Sequence, residues 1–168
     1  MSEQQHPLSQ PYRNAMATVA SGVHVVSTDG ADGPHGITMT AVTSVSDNPP
    51  TLVLCINRET VIRPLVIANG RVCVNVLAAH QQDVAEHFAG FTNLGHAERF
   101  LQNTWFTGPD GLPHLEGALA HLSGRITDHA DIGTHTVFYM AVEHIHVNPQ
   151  AECGLLYFRR HFASVDHV

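Results

Sequence analysis

At 168 residues, 43% of them hydrophobic, the chain is sized for one domain with a real core and is not composed like a disordered one. Its formal charge of −7 includes eight basic residues, all arginine and scattered, so the basic face that grips nucleic acid through phosphates is missing. No apolar run approaches the roughly 18 residues of a membrane span, and residues 1–10 carry no apolar signal core.

The three cysteines stand far apart, with neither a CxxC pair nor zinc-ligand spacing. A reducing compartment follows, and the expectation is a cytoplasmic protein that engages neither membrane nor nucleic acid. Residues 1–8 read as a polar tail. Ser9 is placed to cap a helix over 10–20, with Pro11 in its first turn. A strand over 23–28 is closed by the turn chemistry of Asp29-Gly30-Ala31-Asp32-Gly33-Pro34. Asp47-Asn48-Pro49-Pro50 then precedes a strand over 51–57. Thr60 is a cap candidate for a helix over 61–69 stopped by Gly70, and Pro64 falls early enough in it to cost no intrahelical hydrogen bond. A strand over 72–77 leads to a helix over 80–89, which pairs Val84 with Phe88 and ends at Gly90. Strands over 118–127 and 136–147 complete the pattern. In the last, Val137, Tyr139, Ala141, Ile145 and Val147 share one face, interrupted by Glu143, and the length suits a strand that bends around a barrel. The reading is one β-rich domain over 9–165 with a few covering helices.

The most informative stretch runs from Gly36 to Ser46, where five hydroxyls fall within nine residues among small side chains. Hydroxyls and backbone amides can cradle a phosphate without a lysine, although a threonine-rich exposed strand would read the same way. Fourteen histidines raise a metal reading, but there is no HExxH, and the tight pair His144 and His146 has no third ligand nearby in sequence. His80, Asp83 and His87 form only a weak grouping on one helical face. Surface histidines explain the count better, and no metal is expected. A G-x-S-x-G elbow, a G-x-G-x-x-G loop and a Walker loop are all lacking, and Cys55 and Cys73 sit in apolar runs that disfavour the thiolate.

Several motifs occur in a telling order. Tyr12-Arg13-Asn14-Ala15-Met16 precedes Gly36-Ile37-Thr38-Met39-Thr40-Ala41-Val42, then Ser44-Val45-Ser46-Asp47-Asn48-Pro49-Pro50 and Cys55-Ile56-Asn57. Cys73-Val74-Asn75-Val76-Leu77, His87-Phe88-Ala89-Gly90 and Glu98-Arg99-Phe100 follow, and Ile132-Gly133-Thr134-His135 and Gly154-Leu155-Leu156-Tyr157-Phe158-Arg159-Arg160 close the set. Each is weak alone. Together, over residues 9–165, the chain resembles the short-chain flavin reductases that serve two-component monooxygenases.

That resemblance implies a mainly β fold, a split β-barrel of Greek-key, FMN-binding type, assembled as a homodimer. It implies an NAD(P)H-dependent flavin reductase that reduces FMN or FAD with NADH or NADPH and supplies the product to a partner monooxygenase. It assigns Thr38, Met39, Thr40, Ala41, Ser44, Ser46, Cys55, Ile56, Asn57 and Thr60 to the flavin, with Phe88, Ala89, Gly90, Arg99 and Phe100 closing around the same ligand. His135 matches the histidine of the family's Gly-Asp-His motif beside the nicotinamide, and Tyr157 and Arg160 are carried over to the same pocket. Thr134 stands where that motif has aspartate and is given no role. Hydride transfer needs two stacked rings rather than an acid–base dyad, which suits a chain without an obvious one. A site of hydroxyls and amides, without a lysine clamp, suits the modest affinity that lets reduced flavin leave. Two other readings stay open: a reductase of another acceptor, such as a cobalt-corrin or ferric centre, and a non-catalytic flavin- or haem-binding module.

Overall fold

A computed structural model describes residues 5–166, so the first four residues of the expected polar tail lie outside the described residues. Helix α1 (Ser9–Met16) is followed by strands β1 (Ser21–Gly22), β2 (His24–Thr28), β3 (His35–Met39), β4 (Val42–Asp47) and β5 (Pro50–Asn57). Helix α2 (Ile62–Asn69), strand β6 (Arg71–Val76), a single 3₁₀ turn at Ala79–Gln81, and helices α3 (Gln82–Phe88) and α4 (His96–Arg99) come next. A small hairpin of β7 (Trp105–Thr107) and β8 (Pro113–Leu115) precedes two long strands, β9 (Ala120–Ile132) and β10 (His135–Val147), and a closing hairpin of β11 (Cys153–Phe158) and β12 (His161–Asp166).

Seven of the strands form one antiparallel sheet in the order β3-β2-β6-β9-β10-β5-β4. Its two edges, β3 and β4, are consecutive in the chain and joined only by Thr40 and Ala41. In a flat sheet those edges would lie about 29 Å apart, at about 4.8 Å per strand. Three residue steps from Met39 to Val42 reach at most about 10 Å. The sheet therefore has to roll up until its edges meet, and Thr40-Ala41 crosses the seam where they are not paired. This is a split barrel.

The barrel is filled by Val26, Met39, Leu52, Leu54, Ile56, Val72, Val74, Phe138 and Met140, with Ile62 and Val66 of α2 added to the same core. A second core lies on the other face of β2 and gathers Val23, Val25, Leu77, Val84, Ala85, Phe88, Leu115, Ala118 and Leu155. Because side chains alternate along a strand, Val25 and Val26 serve opposite cores, and β2 is buried on both faces from Val25 to Thr28. The separate sheet β1-β11-β12 contributes Leu155, Tyr157 and Phe162 to the second core.

Several local expectations shift. Helix α1 stops at Met16 rather than near residue 20, and Leu8, not Ser9, occupies its N-cap without a side-chain cap. The Thr18 hydroxyl bonds back to Ala15 O at 2.7 Å as the chain leaves the helix. Thr60 does not cap α2: Val61 holds that position, and the Thr60 hydroxyl donates to Asn57 O at 2.7 Å instead. Gly70 does end α2, in the left-handed conformation at φ 68°. The expected third helix is divided, because the Gln81 side chain accepts from Ala78 N and donates to Glu116 O across the 3₁₀ turn.

The largest correction concerns β10. Its buried face carries Thr136, Phe138 and Met140, whereas Val137 and Tyr139 point away from the core and Ile145 and Val147 are 61% and 66% exposed. Both faces of this strand carry apolar residues, so alternation alone could not say which face turns inward. Two bulges, between Tyr139 and Met140 and between Val142 and His144, then reset the register against β9.

Candidate functional site

A cavity of about 260 Å³ opens beside the seam, lined by Ile37, Thr38, Met39, Thr40, Ala41, Cys55, Ile56, Asn57 and His135. Three elements meet there by register: the end of β3, the end of β5, and the start of β10, where His135 pairs with Asn57 and Thr136 with Ile56. The seam itself is built by short-range bonds. Val42 N donates to Thr40 O at 2.9 Å, closing a three-residue turn, and Cys55 N donates to Ala41 O at 3.1 Å. The backbone N–H groups of Thr40 and Ala41 make no hydrogen bond among the described residues. Two unused donors thus sit at an exposed strand break on the cavity wall.

The hydroxyls near the cavity are largely occupied. Thr38 donates to Ala85 O at 2.7 Å, tying β3 to α3. Thr60 and its amide both bond Asn57 O, and Asn57 Oδ1 accepts from Glu59 N at 2.9 Å, so these residues shape the exit from β5. Cys55 lines the wall, and partial burial pushes its thiol up.

Other anticipated flavin residues sit elsewhere. Ser44 and Ser46 lie along β4 and do not line the cavity; Ser46 is five residues from Ala41, about 17 Å along an extended strand, and accepts from Asn48 N. Phe88 is 2% exposed and packs edge-on against Phe100 and Trp105, with ring centroids 4.9 and 5.3 Å away. Gly36 lies against this ring so closely that a Cβ there would come within 2.8 Å of it. Phe88 and Phe100 therefore belong to the second core, and Phe88 supports β3 from behind rather than facing the cavity. Ala89, Gly90 (φ 79°) and Arg99 lie in the segment around α3 and α4 that packs beside β3, with Arg99 Nε donating to Leu94 O at 3.2 Å.

His135 is held at the opposite wall. Its Nδ1 lies 2.8 Å from the Thr134 hydroxyl. Gly133 takes φ 56° at the tip of the β9–β10 hairpin. The tip is clamped by the segment after β5. Arg58 N donates to Thr134 O at 2.9 Å and Arg58 Nη1 to Gly133 O at 3.2 Å. Arg63 reaches both oxygens of Asp131 through the single nitrogen Nη2, at 3.1 and 3.2 Å, and donates through Nε to the Thr136 hydroxyl at 3.0 Å. The Thr136 hydroxyl donates to Asp131 at 2.6 Å; that bond, with Arg63 and Arg58 beside it, holds the Asp131 carboxyl below its ordinary range. Sequence reasoning missed Arg58, Arg63, Asp131, Thr134 and Thr136. Partners nearly seventy or more positions apart left no local signal, although Thr134 was visible as an odd residue beside His135.

Tyr157 and Arg160 are not in this cavity. Tyr157 packs on Phe162 at 5.1 Å in the second core, and Arg160, at φ 65° in the β11–β12 turn, donates to Asn14 Oδ1 of α1 at 2.8 Å. A second concavity, about 380 Å³, is lined in part by His80, Asp83 and Asn103, with Asn103 Nδ2 donating to Asp83 at 3.1 Å. Among the described residues no group of three or more His, Cys, Asp or Glu side chains is placed to hold a metal ion, and no helix is long and apolar enough to cross a membrane.

An antiparallel sheet rolled into a barrel, left open at one seam and carrying a cavity there, defines a split-barrel protein of the flavin-reductase type. The chain belongs to the flavin reductase like domain family, whose match covers residues 16–166. It is 48% identical to the 4-hydroxyphenylacetate 3-monooxygenase reductase component of Pseudomonas aeruginosa, across 95% of this chain and 93% of that protein. It is 42% identical to the FMN reductase (NADH) RutF of Stutzerimonas stutzeri, across 92% and 87%. The NADH:FAD oxidoreductase SgcE6 of Streptomyces globisporus, solved in complex with NAD and FAD fragments, superposes with a TM-score of 0.85 at 30% identity, covering 96% of each chain.

Proposed function

We propose that this chain is an NADH-dependent flavin reductase that reduces FMN or FAD and releases the product to a flavin-dependent monooxygenase. The observation that carries the reading is a single cavity with unused backbone donors on one wall and an anchored imidazole on the other. The donor set fits a flavin: amides at Thr40 and Ala41 for acceptor atoms of the ring edge or ribityl phosphate, with the apolar side chains of Ile37 and Ala41 on the same wall. The nicotinamide supplies a hydride and the flavin accepts it. The chain's own work is to hold both in register, with Thr38, Asn57 and Thr60 fixing the backbone around the flavin side and His135 donating to the nicotinamide side. Relatives named as a monooxygenase reductase component and as an NADH-dependent FMN reductase support the same partner and the same electron donor.

The finer assignments are part of the proposal. Ser44, Ser46, Ala89, Gly90 and Arg99 are kept as outer flavin contacts. Assembly as a homodimer is supported by apolar side chains left open on single copies, with Ile132, Ile145 and Val147 exposed along the long hairpin and Leu8, Tyr12 and Met16 along α1. Tyr157 and Arg160 can join the nicotinamide side only in that dimer, since one copy keeps them out of the cavity. Three free cysteines suit a cytoplasmic setting.

Anaerobic mixing with NADH or NADPH and either FMN or FAD, followed at the flavin absorption band, tests the activity. Bleaching with NADH is expected. A band that persists with every pair leaves the binding module as the reading, and bleaching without any gain in oxygenase turnover points to another acceptor. Sedimentation should give a species near twice 18.2 kDa.

A further inference from the structure

We propose that Thr134 is a positioning residue that fixes the proton of His135 on Nε2, so that a neutral imidazole donates into the cavity. The proposal rests on the NADH-dependent reading and adds the device that sets the polarity of its nicotinamide wall. Thr134 Oγ1 and His135 Nδ1 are 2.8 Å apart, so one of them donates to the other. The two carbonyls of the hairpin tip are already engaged, Thr134 O by the Arg58 amide and Gly133 O by the Arg58 guanidinium. With those carbonyls engaged, we assign the hydroxyl as donor and Nδ1 as acceptor. A ring that accepts at Nδ1 carries its single proton on Nε2 when neutral.

Arg58 and Arg63 approach the tip from the segment after β5, and Asp131 faces it from β9. The Asp131 carboxylate is engaged by Arg63 Nη2 and by the Thr136 hydroxyl. The remaining titratable groups nearby are the Cys55 thiol on the cavity wall, whose ordinary state is neutral, and Glu59 in the exposed loop that follows Asn57. A donor built this way keeps its hydrogen for a carboxamide or phosphate oxygen whether or not the ring takes up a further proton.

Long-range proton–nitrogen spectra of the full-length protein, with His135 assigned by its loss in His135→Gln, read the tautomer directly. The expected result is a protonated Nε2 and a bare Nδ1 above about pH 7. Thr134→Ser should preserve this pattern. Thr134→Asp should move the proton to Nδ1, because a carboxylate can only accept. In kinetics, Thr134→Val should raise the NADH KM roughly three- to ten-fold with kcat and the flavin Kd unchanged, and Thr134→Ser should restore it. Thr134→Asp should show an NADH KM that climbs between about pH 6.5 and 9 where the wild type is flat, since donation from Nε2 would then need the imidazolium. A wild-type proton on Nδ1, or a Thr134→Asp variant with unchanged spectrum and pH profile, overturns the proposal. Wild-type protein that fails to reduce any flavin overturns the NADH reading instead, and the spectrum still decides the tautomer.

Discussion

The two walls of the cavity are held by different physics. The wall proposed for the flavin, from Thr38 to Ala41 and from Cys55 to Asn57, is sheet backbone laid over the barrel core, with Met39 and Ile56 9% and 1% exposed. Its shape follows from strand register and apolar packing, and its Thr38 hydroxyl donates to Ala85 O of α3. The wall proposed for the nicotinamide is the tip of a hairpin, exposed from Asp131 to Thr134, and polar contacts from Arg58 and Arg63 keep it in place. One wall cannot change without disturbing the fold, whereas the other can be retuned with the barrel intact. This division lets a reductase hold one ligand on a fixed platform and adjust the other.

The sharpest contrast should come from two glycines on the same strand pair. A Cβ on Gly124 would stand 1.9 Å from Ala141 O, backbone against backbone beside the second bulge of β10. Gly124→Ala should cost about 3 kcal/mol or more and leave little folded protein, read by denaturant titration. Gly133 meets nothing within 4 Å, and only its φ of 56° opposes a side chain. Gly133→Ala should cost about 1 kcal/mol and keep the protein folded. Equal losses at the two sites would erase the distinction between the barrel sheet and the hairpin tip.

Acid should reach the barrel side first. His24, paired with Met39 across β2 and β3, is pulled down to about 4 by burial. The unfolded chain takes up this proton near 6.5, before the folded one does, so stability is full above that pH and falls as the pH drops toward 4. The full loss is on the order of 3 kcal/mol. Asp131 behaves differently: its carboxyl is held low by the Thr136 hydroxyl and the arginines, so the clamp persists until the pH falls through the ordinary carboxylate range. Melting temperatures between about pH 7 and 4.5 should decline in the wild type and flatten in His24→Leu. A parallel decline in both would remove His24 as the cause.

How much of this was legible in the sequence follows the same division. The apolar strands β2, β5 and β6, the long pair β9 and β10, and the stops at Gly70 and Gly90 could be read because composition and turn chemistry are local signals. The hydroxyl-rich stretch after Gly36 was found, but it splits into two edge strands with the seam between them, and Ser44 and Ser46 run away from the cavity. Phe88 looked like a ligand contact because of its motif, yet its burial is set by Gly36, fifty-two positions earlier. The clamp on His135 was invisible, since the partners of Asp131 lie as far back as Arg63 and Arg58. Local chemistry reveals elements and motifs; the tertiary fold decides which side chains meet.

Within the site, the comparison predicts separable effects. His135→Ala should lower the NADH efficiency roughly five- to thirty-fold and leave the flavin Kd nearly unchanged, as expected for one lost hydrogen bond to the nicotinamide. Thr40→Val, at the exposed seam, should weaken flavin binding a few-fold, on the order of 0.5–1 kcal/mol, and spare the NADH KM. Stopped-flow reduction at several NADH concentrations, with flavin binding followed by fluorescence, separates the two. A His135→Ala variant that loosens flavin and keeps its NADH kinetics would exchange the walls.

The smallest effect should come from the clamp itself. Arg63 and Asp131 have side chains 25% and 39% exposed, and pairs in that setting contribute little to global stability. Asp131→Asn keeps an acceptor for the Thr136 hydroxyl but gives up the negative charge that Arg63 Nη2 meets, and Arg63→Lys keeps the charge while losing the Nε bond to Thr136. Each should shift the melting temperature by no more than about 2 °C. The hairpin tip would still be freer, and with it Thr134 and His135, so the NADH KM should rise roughly two- to three-fold in either variant. Added salt should reproduce part of that rise in the wild type and less of it in Asp131→Asn, because the screened contact is already gone. Flavin binding is the control, since nothing in the clamp reaches Thr40 or Ala41. If the flavin Kd moves as far as the NADH KM, the hairpin tip and the barrel seam act as one unit and the division between the walls fails.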